Sequence, residues 1–171
     1  KQYLYNEKDT CSLGSNQVNS IQTDGKGRLF VATLQGLCEY QPSSDSFRRI
    51  AVDAPSQDFK SILFARVSMW LSSGKGIVKY SEDKPVQKFC RFDGLTSDQF
   101  LANSCLLSSD GRIYFGTTQG FNAFRPQQVT LNRIAPPVAI TSLSLFNKRM
   151  EVGSDKLPEA LDKVDEISLS H

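Results

Sequence analysis

The chain has 171 residues, 39% hydrophobic and 22% charged, with 11 Phe and 5 Tyr; this excludes a disordered tail, a collagen-like fibre and a small disulfide scaffold. A formal net charge of +2 is too small to argue for nucleic acid or an anionic membrane surface as partner. The longest apolar run, around residues 62–65, is too short to span a bilayer, and no N-terminal stretch reads as a signal peptide; a chain opening at Lys1 is expected to be a piece of a longer protein.

In chain order, Gln2-Tyr3-Leu4-Tyr5 reads as a lone strand. Residues 18–23 alternate and end at the turn Asp24-Gly25-Lys26-Gly27. A second strand follows at 29–33, Gly36 marks a tight turn into a third at 37–40, and Pro42-Ser43-Ser44-Asp45 precedes a fourth at 47–52. The layout then recurs. Leu29-Phe30-Val31-Ala32-Thr33, Met69-Trp70-Leu71-Ser72-Ser73 and Ile113-Tyr114-Phe115-Gly116-Thr117 each read apolar, aromatic, apolar, small, hydroxyl. A glycine follows each aromatic by six residues (Gly36, Gly76, Gly120), and a ring follows each glycine by four (Tyr40, Tyr80, Phe124).

Four short strands at a period near forty residues are the signature of a β-propeller blade. The fold expected is all-β: three consecutive four-stranded blades over residues 1–133, an incomplete propeller entered through the stray strand at 2–5, the outer edge of an absent blade. The aromatic column Phe30, Trp70, Tyr114 is read as packing between blades, and the three glycines as backbone positions of positive φ. The middle unit has Ala65-Arg66-Val67-Ser68 where the others have an Asp-Gly turn, so its connection takes another shape. Two uncovered blade faces are expected to self-associate or to receive further blades.

Charge and pattern both change near residue 134. Residues 1–133 hold 16 basic and 12 acidic side chains, and 134–171 hold 4 and 6. We read 134–171 as a linker and the first strands of a truncated, Ig-like β-sandwich. No catalytic residue, cofactor or metal ligand is expected. The only histidine, His171, is the last residue, which leaves Ser-His-Asp and Cys-His chemistry without a base. Cys11, Cys38, Cys90 and Cys105 lie too far apart for a Cys-x-x-Cys clip; three of them sit in apolar, strand-like surroundings and read as buried small hydrophobes, with a disulfide as the alternative, and a Cys38–Cys105 bridge is not expected.

The segment Leu13-Gly14-Ser15-Asn16-Gln17-Val18-Asn19-Ser20-Ile21, with the Asp-Gly turn, residues 29–33 and Gly36-Leu37, resembles the regulator-propeller repeat. Leu95-Thr96-Ser97-Asp98-Gln99-Phe100 and residues 109–116 restate it. Gly120-Phe121-Asn122-Ala123-Phe124-Arg125-Pro126 is similar to that family's last blade, and Pro136-Pro137-Val138-Ala139-Ile140-Thr141 to the entry of its Tyr-rich β-sandwich. The resemblance implies the periplasmic sensor region of a Bacteroidetes hybrid two-component histidine kinase. The implied fragment is non-catalytic and detects oligosaccharides; its parent is homodimeric and controls transcription by phosphorelay, and the fragment itself does not touch nucleic acid.

On that architecture, ligand contacts belong on one rim, where the loops before first strands meet those between second and third strands. The candidates are Asn16, Gln17, Gln35, Asp58, Lys75, Asp98, Gln99 and Gln119, whose amides and charges suit hydroxyl-rich sugars. Their plainer role is turn formation and capping. The rival reading is a propeller lyase or glycosidase, which needs a paired acid and base. Asp24, Asp45, Asp83 and Asp110 fall in turns, leaving Asp58 and Asp98 as that pair. A generic protein-binding propeller is the third reading.

Overall fold

The computed structural model describes residues 1–82, 84–129 and 142–153, and the chain divides into two compact units, Lys1–Leu131 and Asn132–His171. The first unit is built from antiparallel blades. Strands β1 (Val18–Thr23), β2 (Leu29–Thr33), β3 (Gly36–Gln41) and β4 (Ser46–Ile50) form one sheet in sequence order, and β5 (Phe59–Ala65), β6 (Ser68–Ser73), β7 (Gly76–Ser81) and β8 (Lys84–Phe89) form a second. A third sheet holds β9 (Phe100–Leu107), β10 (Ile113–Thr117) and β11 (Gly120–Phe124). These are propeller blades, as the repeat predicts.

The repeat is a list of geometric requirements. Thr33 pairs with Gly36, Ser73 with Gly76 and Thr117 with Gly120, so a two-residue turn closes each hairpin. The three glycines sit at φ 121, 113 and 106°, a region L side chains rarely adopt. The hydroxyl of the motif serves the same turn. Thr33, Ser73 and Thr117 each donate to the carbonyl of the following glycine and accept from the intervening backbone N–H. In the middle blade Arg66-Val67 alone links β5 to β6, with Arg66 at φ 57°; that is the different connection expected there.

Packing places two members of the aromatic column, Phe30 and Trp70, between the blades present, and Tyr114 departs from that expectation. Phe30 joins Ile62, Met69, Leu71 and Val78 in the first inter-blade core, and Trp70 joins Phe100, Ile113 and Phe115 in the second. Tyr114 lies on the far side of the third blade, half-buried and 6.1 Å from the exposed ring of Phe121. Adjacent strand positions therefore face opposite neighbours and both stay apolar, the pattern of a sheet covered twice.

Two expectations differ from the structure. Residues 2–5 pair with no strand; Tyr3 instead packs edge-on against Phe47 and Tyr40, at 5.3 and 5.9 Å, because an outer strand needs an inner one to pair with. The third blade shows three strands rather than four among the described residues. β9 is also longer than β1 and β5. Each inner strand slips register near its start, by Asn19 in β1 and Lys60 in β5, whereas in β9 the slip spans the residues between Phe100 and Cys105.

Of the second unit, the described part is one hairpin, β12 (Ser144–Leu145) and β13 (Lys148–Arg149). Its turn residues Phe146 and Asn147 both have positive φ, 48 and 60°, as two-residue hairpin turns favour. The expected sandwich entry at Pro136–Thr141, and His171, lie outside the described residues.

Candidate functional site

The eight rim candidates come from three copies of one local structure. The tripeptides Ser15-Asn16-Gln17, Ser56-Gln57-Asp58 and Ser97-Asp98-Gln99 each make a serine turn, the hydroxyl accepting the N–H two residues on at 3.0–3.2 Å. The carbonyls of Gln17, Asp58 and Gln99 then accept from Leu34, Gly74 and Thr118, the first residues of the β2–β3, β6–β7 and β10–β11 turns. Gln17 is thereby tied to the turn carrying Gln35, Asp58 to that of Lys75, and Gln99 to that of Gln119. Asn16, Gln17, Gln35, Lys75, Gln99 and Gln119 are exposed, and Asp58 and Asp98 are half-buried.

Side-chain partners separate these residues. Asn16 accepts the N–H of Tyr5 at 2.7 Å, and Gln17 reaches Asn19 at 3.4 Å. Asp58 pairs with Lys60 at 2.7 Å and accepts from Asn19 at 3.2 Å; Asp98 accepts the N–H of Arg91 at 2.9 Å. Their places in the blades differ too. Asp58 corresponds to Gln17 and Gln99, and Asp98 to Asn16 and Gln57, so the two carboxylates are not equivalent: that of Asp58 is bonded to strands β1 and β5, and that of Asp98 to the backbone at Arg91. Among the described residues no group of three His, Cys, Asp or Glu gathers as a metal site.

The opposite kind of organisation appears at the blade junctions. Arg28 donates to Asp24 in its own turn at 2.8 Å and to Glu82 of the next blade at 2.6 Å. Glu82 is held below the usual carboxylate range chiefly by that hydrogen bond, and Arg28 is pushed up by Glu82 and then Asp24. Glu39, buried beside them, pairs with Arg48. All four cysteines are free thiols; burial raises the Cys38 and Cys105 thiols.

Sequence reading passes over the second inter-blade junction. There a cavity of about 160 Å3 is lined by Trp70, Ile77, Phe89, Leu95, Asn122 and Phe124 among others. The signal that could have found it is a column departure: two residues after each repeat glycine stand Cys38, Val78 and Asn122, and only the last is an amide.

No protein-family model matches the chain. Over 90 residues it is 34% identical to Histidine kinase P4 of Formosa agariphila, a match spanning 52% of this chain and 7% of that protein. Among solved structures it is similar to the extracellular domain of BT4673 of B. thetaiotaomicron, a one-component system by its description, with TM-score 0.51 and 19% identity over 88% of this chain and 20% of that one. It is also similar to PorZ, a surface component of the type-IX secretion system of Porphyromonas gingivalis, with TM-score 0.56 and 16% identity over 72% and 19%. At such identities the solved structures speak for the fold. The chain spans a small fraction of each of these relatives. The resemblance to a histidine-kinase sensor region, read from the repeat, agrees with the kinase match.

Proposed function

We propose that this chain is a non-catalytic, extracytoplasmic piece of a ligand sensor that couples an oligosaccharide to a transmembrane histidine kinase. The observation that carries it is the 34% identity to Histidine kinase P4, in a chain with the blade fold of an extracellular domain. The chemistry of the rim is compatible: three repeated loop pairs present amides, a lysine and carboxylates at one end of the blades, and sugar hydroxyls need donors and acceptors together. A ligand acts on a kinase only through differential affinity for two arrangements of the sensor. In this reading further blades of a homodimeric parent cover the two end faces, residues 134–171 lead into a sandwich next to the membrane, and the parent sits in the inner membrane with its sensor in the periplasm.

The lyase or glycosidase reading would need Asp58 and Asp98 as its acid–base pair, and both carboxylates already have partners within the blades. The test is a screen of oligosaccharides by calorimetry on this chain and on the parent kinase, with autophosphorylation as the second readout. The proposal expects one glycan class to bind the parent and change its phosphorylation. Cleavage of any glycan by this chain, or a parent indifferent to all glycans, overturns it.

A further inference from the structure

Three oxygen atoms converge at the outer edge of the first blade. Tyr3 and Tyr40 both donate their phenolic hydroxyls to one atom, Asp45 Oδ1, at 2.5 and 2.8 Å, and the two phenol oxygens lie 3.5 Å apart. The other carboxylate oxygen, Oδ2, is taken by the Lys1 ammonium. The phenols are held by their rings, since Tyr3 and Tyr40 both pack on Phe47, at 5.3 and 5.5 Å. Solvent reaches the cluster: Tyr3 is 38% exposed and the Asp45 side chain 40%. The blade does not require this arrangement. Five residues after the repeat rings stand Asp45, Pro85 and Val129, so only the first blade sets a carboxylate there. Its outer turn is also the longer one, with Gln41 pairing with Ser46 where Ser81 pairs with Lys84 in the second blade.

An octahedral cation with oxygens at about 2.0–2.1 Å needs neighbouring ligand atoms about 2.8–3.0 Å apart. Separations of 2.5, 2.8 and 3.5 Å bracket that edge, so the three oxygens already outline one triangular face. The donor set then selects the metal. Zinc sites draw chiefly on Cys and His, and calcium on several carboxylates and carbonyls; one carboxylate and two neutral phenols serve neither. Phenolate is a hard donor, won from a phenol of pKa about 10 by a small, highly charged ion. Tyr40 is pushed up, first by its hydrogen bond with Tyr3, which raises that demand. Two phenolates and a carboxylate carry three negative charges and balance a trivalent cation. We propose that Tyr3, Tyr40 and Asp45 form a ferric-ion site, with water or a small chelating anion on the three outward positions. Binding forms two phenolate–iron bonds and one carboxylate–iron bond, releases both phenol protons to solvent and leaves the iron ferric. Lys1 on Oδ2 keeps Oδ1 turned to the phenols. The site lies outside the rim loops and stands or falls independently of the sensor reading.

The experiment titrates ferric nitrilotriacetate into the protein and follows the visible absorption, where phenolate-to-iron charge transfer appears. A band that saturates at one iron per chain is expected, and gallium nitrilotriacetate should give the ultraviolet difference spectrum of tyrosinate without the colour. Tyr3→Phe and Tyr40→Phe keep the rings on Phe47 and remove one donor each. Each should weaken the band and loosen iron by more than about tenfold, the scale that even outer-shell partners of a metal reach. Asp45→Asn should loosen iron as much and keep the colour at saturation. The Tyr3→Phe/Tyr40→Phe double variant retains Tyr5, Tyr80 and Tyr114 and should be colourless, with the fold intact by thermal melting. A wild-type protein that gives no saturable band overturns the site. So does a band that survives in the double variant, which would place the iron on other tyrosines. Colour that keeps rising past one iron per chain marks hydrolysed iron on the surface and overturns it as well.

Discussion

The Ser20 hydroxyl lies 3.2 Å from Asn103 Oδ1, joining the inner strands of the first and third blades across the second. The same serine accepts the N–H of Ile62 at 3.4 Å, and Ser61 likewise donates to Leu101 O and accepts from Ser104 N. Two serines at equivalent inner-strand positions thus stitch the three blades together. The extended slip in β9 is what carries Asn103 to Ser20. It places Asn103 at φ 51°, where Asn is several-fold better tolerated than a β-branched residue. Asn103→Val should therefore destabilise by about 1–3 kcal/mol through backbone strain and the lost bond. Asn103→Gly, which keeps the backbone and loses the bond, should cost about 1 kcal/mol or less. Urea unfolding of the two variants measures the difference; equal losses would show that the conformation of the slip is not what matters.

The repeat glycines are not interchangeable, although their φ values are alike. A Cβ on Gly76 would lie 2.2 Å from the Phe89 carbonyl oxygen, whereas one on Gly36 would meet only Gln57 Oε1 at 3.8 Å and one on Gly120 nothing within 4 Å. Gly36→Ala and Gly120→Ala should each cost about 1–2 kcal/mol, the price of the left-handed backbone. Gly76→Ala adds a clash with main chain and should cost more than either by at least about 1 kcal/mol. Thermal melting of the three alanine variants ranks them.

How far the sequence reached follows from which forces are local. Hairpin turns are decided within a few residues, so Gly36, Gly76, Gly120 and the hydroxyls beside them were legible, and so were the strands they join. The blade period carried the packing too: Phe30 and Trp70 read as inter-blade residues because both neighbours of each strand are apolar. The pairing fate of residues 2–5 was not legible, since strand pairing is a property of two segments. Nor was the inequivalence of Asp58 and Asp98, which needs the serine turns aligned first. That Trp70 Nε1 and Asn122 Nδ2 are buried without a partner among the described residues is invisible in principle along one dimension, because satisfaction depends on every neighbour.

Acid should loosen the first blade junction before it unfolds the chain. Glu82 is depressed first by its hydrogen bond from Arg28, and Asp24, against the opposing effect of burial, by bonds from Arg28 and Lys26. A carboxylate depressed in the folded state gives stability above its unfolded value, lost as pH falls through the folded one. With Arg28 about one-third exposed and Glu82 more than half, solvent screening keeps the Arg28–Glu82 pair to about 0.5 kcal/mol. Glu82→Gln should lower neutral-pH stability by that amount and flatten the acid limb of a stability–pH curve. An unchanged acid limb would show the junction indifferent to this pair.

The thiols should react in order of burial. Cys11 is exposed, while Cys38 is wholly buried and its thiol, like that of Cys105, is raised by burial; only the thiolate attacks a disulfide reagent. Under native conditions an aromatic disulfide reagent should titrate Cys11 fast and Cys38 only after denaturant is added. Early modification of Cys38 would mean that the first blade opens on its own.

The two ends of the blade stack should decide the solution mass. On the first blade Val18, Ile21 and Tyr3 are exposed beside Leu13, Val31 and Phe47; on the third, Leu106, Tyr114 and Phe121 form the open face. These sets occupy the same repeat positions that meet inside the stack. Ile21 corresponds to Ile62, Leu106 to Leu63, Tyr114 to Trp70 and Phe121 to Ile77, so each end is shaped like one half of an inter-blade interface. Contiguous apolar surface of that kind associates in water. Light scattering should show a mass rising with concentration, and Phe121→Glu with Ile21→Lys should return a monomer whose melting temperature is little changed. A wild-type mass independent of concentration would mean that the ends are already covered, and would point to residues outside the blades as the cover.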